Sequence, residues 1–120
     1  MSSNPGRVTI NLTPEYRKNL KKLAKKYRDI RSDTQGLIER LQQGDILGDR
    51  ICGFGETLCV YKVRVRNSNL QKGKSSGYRI LYLLESENRI LLLTIYNKSE
   101  QKNISNAQIQ EILNNCDGRE

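Results

Sequence analysis

Between Tyr61 and Lys98 the chain supplies cations and phenols at spacings suited to handling a phosphodiester. The stretch YKVRVRNSNLQKGKSSGYRILYLL carries Lys62, Arg64, Arg66, Lys72, Lys74 and Arg79 with no acid among them, and the apolar run ILLLTIYNKSE then ends on Tyr96 and Lys98. Tyr61, Val63 and Val65 alternate with Lys62, Arg64 and Arg66, a period of two that would send the apolar side chains to a core and the cations to the opposite face of a strand. Same-face positions on a strand lie roughly 6.5–7 Å apart, close to the spacing of consecutive phosphates in an extended single strand. Nucleic acid is therefore the first partner to consider. The same pattern also suits a solvated edge strand whose charges discourage aggregation.

The chemistry open to such a set is stabilisation of charge that develops at a phosphate. A pentavalent phosphorane gains negative charge as it forms, so cations already in place stabilise it more than the ground state, each by about 2–4 kcal/mol by analogy with oxyanion-hole donors. Arg79 fits this role best, since a guanidinium bonds two phosphate oxygens at once. Lys62, crowded by other cations, suits a general base, with Tyr96 able to share the task, and Lys98 or Tyr96 suits a proton donor to a leaving oxygen. Arg66, Lys72 and Lys74 read as RNA-binding cations, the two lysines as mobile phosphate contacts among Gly and Ser. Simpler roles stand beside these: Tyr96 could end a core strand with its hydroxyl in water, and Lys98 could be a surface charge.

Composition narrows the field. At 120 residues the chain fits one domain, with residues 1–6 as a flexible N-terminus and 7–120 as a single unit. The net charge of +8 is spread evenly, +4 in each half, with 11 basic against 7 acidic residues and then 10 against 6. That excess favours a polyanionic or acidic partner. The absence of histidine removes Ser-His-Asp and Cys-His hydrolases, His-ligated zinc enzymes and His-pair ribonucleases. Cys52, Cys59 and Cys116 show no C-x-x-C spacing and read as reduced, mostly structural thiols, so no metal site and no cofactor is expected. No run approaches a membrane span and MSSNPGRV has no signal-peptide core, which points to a cytoplasmic protein.

These residues need a scaffold, and the order of elements can be read. Val8, Ile10 and Leu12 share one face of a short strand; Thr13-Pro14-Glu15 then gives an N-cap, a proline at the first helical position and an acid in the first turn. Tyr16, Leu20, Leu23, Ala24 and Tyr27 recur at helical spacing. Ser32-x-x-Gln35 resembles a capping box for a second helix closed by Gly44, making an αα-hairpin with its turn near Arg28–Asp33. Gly44–Gly55 reads as a structured loop without a phosphate-binding glycine motif. Strands follow at Leu58–Arg66, Tyr78–Leu84 and Ile90–Tyr96, the last apolar enough to be central, with a polar loop at Asn67–Gly77. A second capping box, Ser105-x-x-Gln108, with Ile104 and Ile109 as a staple, starts a short last helix from Asn106 to about Asn115.

The order strand, helix, helix, three strands, helix, together with YKVRV, GKSSGYRILYLL and LLLTIYNKSE, resembles the RelE-like toxins of bacterial toxin–antitoxin modules, within the wider RelE/ParE superfamily. The resemblance covers about residues 7–115. It implies an α+β fold, a small mixed or antiparallel sheet in β-α-α-β-β-β-α order, with the αα-hairpin on one face and a concave basic face opposite. It further implies a metal-independent mRNA interferase, an endoribonuclease that enters the ribosome, contacts its 16S rRNA and inhibits translation. The message's 2′-hydroxyl would attack the neighbouring phosphate, leaving a 2′,3′-cyclic phosphate and a 5′-hydroxyl. By position, Lys62 and Arg64 match the family's two basic strand residues, Arg79 the arginine of its G-Y-R, and Lys98 a basic residue after the last strand. The best-studied branch has an arginine where Ser99 stands and a tyrosine near Ser105. A cognate antitoxin is the implied protein partner, acidic and partly disordered. Two other readings remain: a ParE-like DNA gyrase poison without chemistry of its own, and a catalytically inactive RNA-binding relative.

Overall fold

The computed structural model describes residues 7–70, 77–101 and 103–117, with residues 116 and 117 described by backbone alone. The expected flexible N-terminus, Lys72 and Lys74 lie outside the described residues, as does the side chain of Cys116. The elements run β1 (Thr9–Leu12), α1 (Pro14–Lys26), α2 (Ile30–Gln42), β2 (Asp49–Arg50), β3 (Cys59–Val65), β4 (Tyr78–Ser86), β5 (Arg89–Asn97) and α3 (Asn106–Asp117). They form one mixed five-stranded sheet in the order β1-β5-β4-β3-β2, with β1 parallel to β5 and every other pair antiparallel. This is the expected α+β arrangement with one strand added.

Alternation along the strands builds two apolar clusters, one on each face of the sheet. Val63, Val65, Tyr78, Ile80, Tyr82 and Ile95 pack under α1 and α2 against Tyr16, Leu23, Tyr27, Ile30 and Leu41. Val60, Leu81, Leu83, Leu91, Leu93 and Tyr96 face the other way and meet Phe54 and the Ile109 and Leu113 side chains of α3. β4 and β5 are buried along most of their length because they lie inside the sheet and are covered on both faces.

Local signals fix the helices. Thr13 caps α1, its hydroxyl accepting from the Tyr16 amide at 2.9 Å and donating to the Leu93 carbonyl at 2.7 Å, so the cap also locks helix to sheet. At α3 the Ser105–Gln108 capping box forms in both directions, at 2.9 and 3.1 Å. The Ser32–Gln35 box does not form. α2 starts three residues earlier, with Asp29 at the cap position and Ile30 as its first residue; Ile30 is fully buried and anchors the first turn, while Ser32 donates to the Asp29 carbonyl and Gln35 bonds Glu39.

The segment read as loop between Gly44 and Gly55 contains β2, which pairs Asp49 with Lys62 and Arg50 with Tyr61. Gly48 permits this: its φ is +88°, and a Cβ there would stand 2.4 Å from the Lys62 carbonyl oxygen. Cys52 is exposed and Cys59 half-buried, so Cys52 is not a core thiol.

Candidate functional site

The register of the three long strands decides which side chains meet. Arg64 lies opposite Arg79 across β3 and β4, and Arg79 lies opposite Tyr96 across β4 and β5, giving one continuous row over three strands. Directly opposed residues hold their Cβ atoms roughly 4.5–5.5 Å apart. Lys62, two residues before Arg64, shares its face. Lys98 follows Tyr96 by two, and its amide donates to the Gly77 carbonyl at 2.9 Å, which continues the β4–β5 ladder past the end of β5. Lys62, Arg64, Arg79, Tyr96 and Lys98 therefore share the face of the sheet away from the αα-hairpin, with Lys62 two positions to one side of the Arg64–Arg79–Tyr96 row and Lys98 two positions to the other. Arg66 adjoins them just beyond β3 and is exposed.

Burial differs along the row, and here the sequence expectation needs correction. Arg64 is exposed and Lys62 and Lys98 are half-buried, but Arg79 is only 3 % exposed, where an open concave surface was expected. β4 is the middle strand, so Arg79 is flanked on both sides, and its Nη1 folds back to donate to the Gly77 and Tyr78 carbonyls at 3.3 and 3.2 Å. Burial and the neighbouring Arg64 charge both push the Arg79 guanidinium pKa down.

Tyr96 is 6 % exposed, and its hydroxyl is buried without a hydrogen-bond partner among the described residues. Burial raises the Tyr96 pKa, with Arg79 opposing the shift. Burial therefore favours the neutral phenol over the phenolate.

Two neighbouring features position this end of the sheet and escaped the sequence reading. Gly77 approaches β3 so closely that a Cβ would stand 2.3 Å from the Val65 carbonyl oxygen. Its own carbonyl accepts from both Arg79 and the Lys98 amide. On the helix side, Asn67 donates to Asn97 at 3.1 Å, and Asn97 donates to Ser99. Asn67 and Asn97 stand 30 positions apart, so no local spacing could have paired them. Among the described residues no group of three His, Cys, Asp or Glu side chains is placed to hold a metal ion. No helix among them is long and apolar enough to cross a membrane.

Three helices with one mixed five-stranded sheet make an α+β fold consistent with RelE-like toxins. A family model described as the RelE toxin of the RelE/RelB toxin–antitoxin system matches residues 17–116, and the chain belongs to that family. It is accordingly the toxin of a toxin–antitoxin module, with a cognate antitoxin as its implied partner.

Proposed function

We propose that this toxin is a cytoplasmic mRNA endonuclease acting on messages held by the ribosome. The observation that carries the reading is the Arg64–Arg79–Tyr96 row with Lys62 and Lys98 beside it. Lys62 takes the proton of the 2′-hydroxyl as that oxygen bonds to phosphorus. Arg64, the exposed member, meets the phosphate first, and Arg79 stabilises the charge that develops on the equatorial oxygens. The bond from phosphorus to the 5′-oxygen then breaks, with Tyr96 or Lys98 delivering the proton to that oxygen, and a 2′,3′-cyclic phosphate and a 5′-hydroxyl remain. With Arg79 3 % exposed, phosphate contact requires the side chains above it to move.

Incubating the purified protein with a defined message, alone and on ribosomes, and mapping the ends tests this directly. Cleavage on ribosomes with 2′,3′-cyclic phosphate ends is expected. Intact message in both arms would overturn the reading in favour of a gyrase-binding or inactive toxin. Lys72 and Lys74, placed by sequence in the β3–β4 loop, act in docking: changing both to Ala raises the concentration needed for cleavage more than it lowers the maximal rate. The net charge of +8 favours an acidic antitoxin whose complex weakens with rising salt.

A further inference from the structure

We infer that Asn67, Asn97 and Ser99 form a clamp behind the cationic row that sets where Arg66 and Lys98 stand, a positioning device whose effect on cleavage rests on the nuclease reading above. Asn67 is 3 % exposed and Asn97 1 %, so both amides lie where an unmade hydrogen bond is costly. They satisfy each other. Asn67 Nδ2 donates to Asn97 Oδ1 at 3.1 Å, Asn97 Nδ2 donates to Ser99 Oγ, and Asn67 Oδ1 accepts from the Asn69 amide at 2.9 Å.

The link spans three strands. Asn97 pairs with Tyr78 on β4, and Tyr78 pairs with Val65 on β3, two residues before Asn67. Strands lie about 4.7–4.9 Å apart, so the amide pair ties the exits of β3 and β5 across the start of the strand between them. Val65 and Tyr78 belong to the cluster beneath α1 and α2, which places the clamp on the opposite side of the sheet from Arg64, Arg79 and Tyr96. Arg66 immediately precedes Asn67, and Lys98 lies between Asn97 and Ser99. Each of these cations is thus held by a neighbour that belongs to the clamp.

Both ends of the clamp are anchored to the helices. The Ser68 amide and hydroxyl donate to Asp33 Oδ2 at 2.9 and 3.0 Å, while Asn69 accepts from the Asp29 amide and donates to its carboxylate, so the β3 exit is tied to the start of α2. On the other side the turn after β5 is tied to α1 and its cap: Glu100 accepts from the Tyr27 hydroxyl at 2.7 Å and meets Lys26 at 2.9 Å. Ser99 thereby has a defined part where the related branch carries an arginine. It closes the amide chain and stays out of the chemistry.

A clamp that positions differs from one that merely stabilises in what its loss changes. Asn97→Leu and Asn67→Leu should each lower the single-turnover rate at saturating ribosome-bound message by about tenfold, with the half-saturating concentration moving less than about threefold, because misplaced groups cost rate more than binding. Asn97→Asp keeps an acceptor for Asn67 and for the Ser99 hydroxyl, so it should restore the wild-type rate. The double Leu variant should be no slower than either single one, as expected of two residues that act through one bond. Hydrogen exchange at the Lys98 amide supplies a readout independent of activity: protection is lost in the Leu variants, partly lost in the milder Ser99→Ala, and kept in Asn97→Asp.

A folded Asn97→Leu or Ser99→Ala protein with an unchanged Lys98 amide would overturn the clamp, as would an Asn97→Asp as slow as Asn97→Leu or losses that multiply in the double variant. If the wild type cuts nothing while Asn97→Leu still loses Lys98 protection, the clamp stands and the nuclease reading falls.

Discussion

Two rows of residues cross the same three strands one position apart and face opposite ways. Val63, Ile80 and Ile95 form one row, all buried beneath the αα-hairpin; Arg64, Arg79 and Tyr96 form the next, on the other side of the sheet. Backbone, register and strand curvature are common to both. The difference lies wholly in side chains, and it divides the labour: the apolar row fixes the sheet, and the polar row inherits a rigid spacing without having to create it. The two rows should therefore fail differently when altered.

The largest contrast is between Arg79→Ala and Ile80→Ala. Loss of Arg79 should cut single-turnover cleavage by roughly 10²–10³-fold, as for one transition-state donor. Because Arg79 is buried, the same change should also lower stability, by about 1–3 kcal/mol, which circular dichroism melts will show. Ile80→Ala should cost about 2–5 kcal/mol of stability through the cavity it leaves, yet leave the rate per folded molecule near wild type. Equal rate losses in the two variants would erase the division between the rows.

A finer contrast uses buried phenols. Tyr16 and Tyr96 both bury a hydroxyl without a hydrogen-bond partner among the described residues, Tyr16 under the hairpin and Tyr96 in the polar row. Tyr96→Phe should lower cleavage by about 10²-fold if the phenol donates a proton, with no loss of stability. Tyr16→Phe should leave cleavage unchanged and raise stability by about 1 kcal/mol, because an unpaired buried hydroxyl is costly. A Tyr96→Phe protein that cuts normally would leave Lys98 as the proton donor.

The smallest effect belongs to the turn that joins the two faces. The hydrogen bond from Tyr27, and then the Lys26 ammonium, hold the Glu100 carboxyl below its ordinary value of 4.5. A carboxyl depressed in the folded state adds stability that is present above the unfolded value and lost as the pH falls through the lower folded one. Glu100→Gln should thus melt slightly below wild type at neutral pH, and the two melting curves should converge in acid. A difference that persists at low pH would assign the effect to packing.

How much of this was legible in the sequence follows from the range of each signal. Local signals read well: the alternation from Tyr61 to Arg66, the Thr13-Pro14-Glu15 start and the Ser105–Gln108 box all appear where expected. Ser32-x-x-Gln35 carries an equally good local signal and misleads, because burying Ile30 outweighs a cap and moves the helix start. β2 was missed since two residues hold no periodicity, and its cause is a close approach at Gly48 that only the neighbouring strand reveals. For the site, the cations and their common face were readable, but the depth of Arg79 was not. Depth depends on which strand ends in the middle of the sheet, and that order is set by pairing over long distances.

The parallel joint between β1 and β5 has a consequence for the chain as it is made. Thr9 stands opposite Arg89, and the Thr13 hydroxyl reaches the Leu93 carbonyl across 80 positions. The N-terminal strand and α1 are thus synthesised long before β5, the strand against which both mainly pack, and such distant contacts are slow to close. The cations of β3 and β4 emerge next, still without Tyr96 or Lys98. Only after residue 98 of 120 has been added does a complete row exist. A chain that ends before β5 carries the cations of β3 and β4 without the Tyr96 side chain that stands opposite Arg79.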